Sequence, residues 1–316
     1  MVHKWLSSPM SMAPVAQLRF AIVTGKGGVG KTTVSAAMGV RLASEGKRVL
    51  IAMCNAKERL STMLGTPPIG PDVLEITPQL SAVNMEPEQA LEEYGMMALK
   101  SRALYTLLFD NKYVRTFFRA VPGIHEWAML GKAWWHTTEL LPNGQNKYDI
   151  VILDAPATGH GLDMLRVPKV ITEVVPPGLL RRDADRAWQM FQDPKLTGAV
   201  LVALPEEMPT TETLELATAL RTELHIPLAK VVVNGVLPPL FSREEAALLE
   251  RLPDGMAETV EADAGLAAKR RAIRERIQSE CMTRLSQGLD LAPTTLPLLF
   301  EDAARPDAIR NLARRF

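Results

Sequence analysis

A glycine-rich segment close to the N-terminus constrains this chain more than any other feature. Residues 25–32 read GKGGVGKT, which fits the pattern G-x-x-x-x-G-K-[ST]. The segment lies between an apolar run of strand-forming residues at 18–24 and a stretch with helical spacing of apolar residues at 31–43. Such a loop directs successive backbone N–H groups at phosphate oxygens, and the positive end of the following helix adds to that field. The sequence therefore predicts a phosphate-binding loop.

Three side chains indicate that the ligand is a nucleoside triphosphate with a bound metal ion. Lys31 is placed to neutralise the β- and γ-phosphates, and the hydroxyl of Thr32 is placed to ligate Mg²⁺. Asp154 ends the buried apolar run at 150–153, where an acid can hold Mg²⁺ through water. We therefore expect ATP and Mg²⁺ as cofactors.

A dinucleotide site is the weaker interpretation of the same glycines. Gly25, Gly27 and Gly30 also satisfy G-x-G-x-x-G. A dinucleotide-binding unit needs an acid at the end of its second strand, where this chain has Asn55, and it has no use for a lysine and threonine after the loop.

The order of apolar runs predicts an α/β fold, a P-loop NTPase with a mostly parallel twisted sheet flanked by helices. Strands are expected at 18–24, 48–53, 148–154, 198–204, 228–234 and 294–299, and helices at 31–43, 161–166, 210–223 and 306–315. Two long helical insertions, about 87–140 and 242–287, are expected to form a helical subdomain beside the sheet. We expect a loose tail over 1–17 and a single domain over 18–316.

Composition excludes several classes of protein. The 316 residues hold 36 Lys and Arg against 36 Asp and Glu, and this neutral balance argues against nucleic acid or an anionic membrane as the main partner. No apolar run approaches the length of a membrane span, so no integral membrane segment is expected. The two cysteines, Cys54 and Cys281, lack metal spacing and favour a reducing, cytoplasmic location.

Several motifs together resemble one family. The segment KGGVGKTT at 26–33 resembles the deviant Walker A motif, and DAPATGH at 154–160 resembles a switch II segment. PGIHE at 122–126, Pro205 and Glu206 with Glu212 and Thr213, Asn234, and LPL at 296–298 complete the set. From about residue 18 to the end, the chain resembles the ArsA arsenite-pump ATPase family, which includes the targeting factor for tail-anchored membrane proteins.

The resemblance implies a dimer that closes on two ATP molecules, as a homodimer or as a heterodimer with a paralogous ATPase. It implies that Lys26 reaches the nucleotide of the partner and that Asn234 contacts the adenine. It further implies that switch II, through Gly159 and His160, couples the nucleotide to the helical insertions. The implied nucleotide-binding residues are Gly27, Gly28, Val29, Gly30, Lys31, Thr32, Thr33, Asn234 and Pro297.

Asn55 departs from the family pattern. The family carries an aspartate there that orients the attacking water, and an amide can hydrogen-bond water but cannot accept its proton. We therefore expect slow or partner-stimulated hydrolysis, with Glu58 as a weak substitute. The alternative is a nucleotide-sensing chaperone or scaffold subunit that binds ATP without hydrolysis beside an active paralogue. A ParA-like positioner of nucleic acid or cargo is a third interpretation, and the neutral net charge disfavours it.

The family's clients are a further point of comparison. The arsenite-binding cysteines and the zinc Cys-x-x-Cys have no counterpart here, so arsenite transport is disfavoured and Cys54 and Cys281 are expected to be buried thiols. A hydrophobic protein client could use the apolar residues of the first insertion, although core packing is the commoner role of such residues. These residues are Met96, Met97, Leu104, Leu107, Leu108, Phe109, Phe117, Phe118, Trp127, Met129, Trp134 and Trp135.

Overall fold

An eight-stranded sheet forms the centre of the chain in a computed structural model, which describes residues 13–99, 123–253, 259–300 and 304–316. Its spatial order is β3-β4-β2-β5-β1-β6-β7-β8, and neighbouring strands are parallel except for the antiparallel pair β3 and β4. The strands are β1 (Phe20–Thr24), β2 (Val49–Cys54), β3 (Leu74–Thr77), β4 (Leu80–Met85), β5 (Ile150–Asp154), β6 (Thr197–Ala203), β7 (Leu228–Val236) and β8 (Thr294–Pro297).

Helices connect and cover these strands. Those in the described ranges are α1 (Ala13–Ala16), α2 (Lys31–Ser44), α3 (Leu60–Leu64), α4 (Pro87–Leu99), α5 (Ile124–His136), α6 (Thr158–Val174), α7 (Leu179–Gln192), α8 (Glu207–Thr222), α9 (Arg243–Glu250), α10 (Val260–Leu289) and α11 (Pro306–Ala313). Within the same ranges, no helix is long and apolar enough to cross a membrane.

The central strands are buried on both faces, which explains their continuous apolar sequences. Successive residues of β1 join different clusters: Phe20 and Ile22 pack with α5, α6 and α7, whereas Ala21 and Val23 pack with α2 and α11. The Phe20 ring stacks on Phe191 of α7 with 5.3 Å between the ring centroids. The sheet is therefore covered by helices on both sides, as the sequence predicted.

Both predicted helical insertions contain helices, but they pack at different places. α5 packs against α4, α6 and α7, and α10 packs against α8 and α9. Of the apolar residues proposed for a client, Trp127, Met129 and Trp134 belong to the core, as core packing predicts, and Trp135 packs against it. Those at 104–118 lie outside the described residues, and the side chain of Met97 is not described.

The structure corrects the sequence interpretation in three places. The loose tail predicted over 1–17 extends too far, because residues 13–16 form α1 and Val15 is buried. The strands β3 and β4 were missed, and so was α7. The helix predicted at 161–166 is α6, which runs on through Pro168 to Val174.

Candidate functional site

The glycine loop joins β1 to α2 at the carboxyl edge of the sheet. Its backbone needs glycine at both ends, because φ is +154° at Gly25 and +90° at Gly30. A Cβ at Gly25 would lie only 2.3 Å from the carbonyl oxygen of Val202 on β6, and one at Gly30 would lie 2.2 Å from Nδ2 of Asn234. The loop is therefore fitted closely against β6 and β7 at positions where only glycine has room.

Lys31 turns back over this loop. Its ammonium donates hydrogen bonds to the carbonyl oxygens of Gly25 (3.2 Å) and Lys26 (3.0 Å). Burial lowers the pKa of the Lys31 ammonium, and the nearby carboxylate of Asp154 acts in the opposite direction. The Lys31 ammonium, which we predict to bind phosphate, is thus hydrogen-bonded to neutral carbonyl oxygens of the loop. A phosphate anion can replace these weaker acceptors.

Asp154 lies at the end of β5, beside the start of α2. Its Oδ2 accepts a hydrogen bond of 2.6 Å from the hydroxyl of Thr32, and its Oδ1 accepts one of 3.2 Å from the hydroxyl of Ser35. The carboxyl is buried, and burial raises its pKa, although the Thr32 hydroxyl and the Lys31 ammonium lower it. Ser35 was not among the predicted site residues; its spacing of three from Thr32 on the same helix is the signal that could have found it.

The two predicted metal ligands are therefore in contact with each other. A hydroxyl and a carboxylate are the oxygen donors that Mg²⁺ prefers. Their hydrogen bond brings the two oxygens together at the start of α2, so the residues present fit this ion.

Lys26 has a partner within its own chain. Its ammonium lies 2.6 Å from Oε1 of Glu212 on α8 and 3.2 Å from the sulfur of Met208. Glu212 was singled out only as part of a motif, and its ion pair with Lys26 was not foreseen. The role across a dimer that the resemblance implies for Lys26 stays a prediction.

Asn55 follows β2 at the same edge of the sheet as Asp154, because Met53 pairs with Asp154 across β2 and β5. Its φ is +45°, its side chain is exposed, and its N–H donates to the carbonyl oxygen of Met85. Glu58 is engaged elsewhere: its carboxylate accepts from both the N–H and the hydroxyl of Ser61 at the start of α3. This contact gives Glu58 a structural role and weakens it as a substitute for the missing aspartate.

The segment after Asp154 adjoins both the loop and a helical insertion. A Cβ at Gly27 would lie 3.7 Å from Cβ of Ala157, and α6 begins one residue later. Gly123, at the start of α5, has φ of +75°, and a Cβ there would lie 2.6 Å from the Val167 side chain of α6. The predicted switch II helix thus touches α5 of the first insertion, while Gly159 and His160 are exposed.

The remaining predicted nucleotide contacts belong to the loop, to the first turn of α2, and to β7 and β8. Asn234 on β7 donates through Nδ2 to the carbonyl oxygen of Val29, at 3.0 Å. Pro297 ends β8, where it pairs with Val236 of β7. Gly28 has open space around it, Val29 is buried, and Thr33 is half-buried in the first turn of α2.

The two cysteines and the basic run at 269–276 have structural roles. Cys54 and Cys281 are buried free thiols, as predicted. In the basic run at 269–276, Arg271 pairs with Glu275 and Arg276 pairs with both Glu250 and Glu280. This part of α10 is therefore a solvated helix face whose arginines are paired with nearby glutamates.

Several known ATPases are similar to this chain over most of its length. Over 241 residues the chain is 27% identical to the ATPase BagA of Mycobacterium tuberculosis, covering 73% of this chain and 68% of that protein. It is 25% identical over 254 residues to the ATPase GET3 of Kluyveromyces lactis, covering 69% and 72%. It is 27% identical over 267 residues to the arsenical pump-driving ATPase of Escherichia coli, covering 75% of this chain and 43% of that protein.

A family model described as anion-transporting ATPase matches residues 18–177, about half of the chain. The matched part contains the glycine loop, Thr32, Asn55 and Asp154. Members of this family are ATPases, and the chain belongs to the anion-transporting ATPase family.

Proposed function

We propose that this chain binds ATP with Mg²⁺ at the glycine loop and acts as a dimeric nucleotide switch with slow hydrolysis. The observation that carries the proposal is the hydrogen bond between Thr32 and Asp154 beside the ammonium of Lys31. Phosphoryl transfer depends mainly on positioning and charge neutralisation, and these three groups supply both. Magnesium would be held by Thr32 and Asp154, where it neutralises charge on the phosphates.

Slow hydrolysis follows from the residue that meets the attacking water. Asn55 is exposed at the edge of the sheet that carries Asp154, so it can hydrogen-bond water there but cannot take its proton. Because Glu58 is bound to Ser61, the neighbouring carboxylate offers little compensation. The chain would then hold ATP for long periods between turnovers.

In the proposed switch, ATP binding closes two subunits on each other. Lys26 is within reach of solvent, with a third of its side chain exposed, and it can leave Glu212 for the phosphates of a second subunit. Contact between α6 and α5 offers a route by which the segment after Asp154 could move the helical insertion. The partner would be a second copy of this chain or a paralogous ATPase.

A subunit that binds ATP without hydrolysing it is the second candidate, and Asn55 is the observation that favours it. Phosphate release from the purified chain, alone and mixed with a paralogous ATPase, separates the two. Turnover by the chain alone that is slow but abolished by Lys31→Ala supports the ATPase, whereas ATP binding with no release from the chain alone supports the binding subunit.

Calorimetric titration with ATP and Mg²⁺ tests the site itself. Wild type is expected to bind, and Lys31→Ala is expected to lose at least tenfold in affinity, because a charge-assisted contact to phosphate is worth about 1.5–3 kcal/mol. Lys195→Ala is the matched control, since Lys195 is exposed just before β6 at the opposite edge of the sheet. Equal affinities of wild type and Lys31→Ala would contradict the proposal.

A further inference from the structure

The side chain of Asn234 contacts the glycine loop directly. Its Nδ2 lies 3.0 Å from the carbonyl oxygen of Val29. Because a carbonyl oxygen only accepts hydrogen bonds, the amide nitrogen and not the amide oxygen must face it. The same Nδ2 lies so close to Gly30 that a Cβ there would approach it to 2.2 Å. The Asn234 amide therefore fills the space that the glycine leaves open.

The bond joins the end of the loop to a rigid part of the sheet. Asn234 belongs to β7, which pairs with β6 on one side and β8 on the other. The start of the loop is fixed by a different strand, because Gly25 lies against Val202 of β6. Asn234 thus holds the end of the loop independently of the packing at its beginning.

The orientation of one peptide group follows from this bond. In a trans peptide the C=O and the following N–H point in opposite directions. With the Val29 carbonyl directed at Asn234, the N–H of Gly30 is directed away from it, and it has no acceptor in the described part of the chain. Gly30 precedes α2 and makes no side-chain cap bond, so in the described part of the chain the bond from Asn234 is the contact that fixes this peptide.

We propose that Asn234 is a positioning residue for the phosphate site, one that holds the Val29–Gly30 peptide so that the Gly30 N–H stays available to the triphosphate. The inference rests on the proposed function of the loop. The two polar atoms of the Asn234 amide then have different roles. Nδ2 fixes the loop, and Oδ1, which has no donor among the residues the structure describes, stays available to the nucleotide base.

Binding of ATP and of inorganic tripolyphosphate, each with Mg²⁺, tests this role, because tripolyphosphate has no base to contact. Asn234→Leu keeps a similar volume and removes the donor. We expect it to weaken tripolyphosphate binding about tenfold for one lost hydrogen bond, and ATP binding at least as much, because the variant also removes the oxygen available to the base. Weaker ATP binding with unchanged tripolyphosphate binding would overturn the inference and leave Asn234 as a base contact only. Asn143→Leu, in the turn before β5 at the opposite edge of the sheet, is the control and should change neither ligand.

A second measurement needs no ligand. Amide order parameters of Val29 and Gly30 from NMR relaxation should fall from rigid values near 0.85 towards flexible values below about 0.6 in Asn234→Leu, and also in the milder Asn234→Ser. Unchanged order parameters in a folded variant would overturn the inference. If wild type binds neither ligand, the proposed function fails, and the order parameters still decide whether Asn234 positions the loop.

Discussion

The ammonium of Lys26 lies 2.6 Å from the carboxylate of Glu212 in the same chain. The family resemblance implies that this lysine reaches the nucleotide of a second subunit, and one side chain cannot occupy both places. Closure of the proposed dimer on ATP must therefore break this ion pair. Both side chains are about one-third exposed, so the pair is a modest barrier of about 0.2–1 kcal/mol.

Glu212→Gln is expected to favour the ATP-bound dimer, because it removes the charge that holds Lys26. Sedimentation velocity with ATP and Mg²⁺ should show dimerisation tightened by about two- to fivefold, in line with the value of a partly exposed ion pair. Glu215→Gln, on the exposed side of the same helix, is the matched control. Weaker dimerisation of Glu212→Gln would mean that Glu212 supports the closed state instead.

Asn55→Asp is expected to raise steady-state phosphate release at least tenfold, because general-base assistance contributes 10²–10⁴-fold where it operates. The φ of +45° at this position is tolerated by both Asn and Asp, so the backbone need not change. Asn55→Gly, which removes the side chain and also tolerates this backbone, is the control and should not gain activity. An unchanged rate in Asn55→Asp would show that this position does not limit hydrolysis.

The local elements of the fold were predictable, and the contacts across it were not. β1, β2 and β5 are continuous apolar runs with clear ends, and the loop pattern places β1 next to α2. The edge strand β3 has only four residues, and α7 was overlooked because its charged residues mask a narrow buried face of Ala184, Ala187 and Phe191. Short edge strands and charged amphipathic helices depend on neighbours that no local pattern reveals.

In the candidate site, too, the local features were predictable and the contacts between distant residues were not. Lys31, Thr32 and Asp154 were predicted from a motif and a strand end, and the structure brings them together. The contacts of Glu212 with Lys26 and of Asn234 with Val29 join residues 186 and 205 positions apart. Such pairs depend on the strand order, in which β6 lies beside β1 and β7 lies beside β6, and the sequence alone does not specify that order.

Asp154→Asn is expected to stabilise the ligand-free chain while it removes Mg²⁺-dependent stabilisation by ATP. Burial raises the pKa of this carboxyl above its unfolded value, so its contribution to stability is greatest at low pH and is lost as pH rises through the folded-state pKa. Above that pKa an ionised Asp154 therefore costs stability that an amide does not.

Thermal unfolding with and without ATP and Mg²⁺ measures both effects of Asp154→Asn. We expect the ligand-free Tm to rise by about 2 °C and the increase on adding ligand to disappear. Asp72→Asn, at an exposed position, should behave as wild type. A lower ligand-free Tm in Asp154→Asn would show that the hydrogen bonds from Thr32 and Ser35 outweigh the cost of burying the charge.

Asp149 connects the starts of β2 and β5, and its loss should weaken the sheet at the ends of the strands opposite the glycine loop. Its carboxylate accepts hydrogen bonds from the backbone N–H and the guanidinium of Arg48, and the guanidinium lowers the pKa of Asp149. A lowered folded-state pKa contributes stability above the unfolded value near 4, and that contribution is lost as pH falls through the folded-state value.

Asp149→Asn should therefore lower the free energy of unfolding by about 1–2 kcal/mol at pH 7, and the difference from wild type should shrink at a pH well below the unfolded-state value near 4. Urea unfolding at both pH values measures this difference. Asp163→Asn removes a solvent-exposed partner of Arg166 within α6 and should cost less than about 0.5 kcal/mol at either pH. A deficit in Asp149→Asn that persists undiminished in acid would assign the stabilisation to the shape of the side chain and not to its charge.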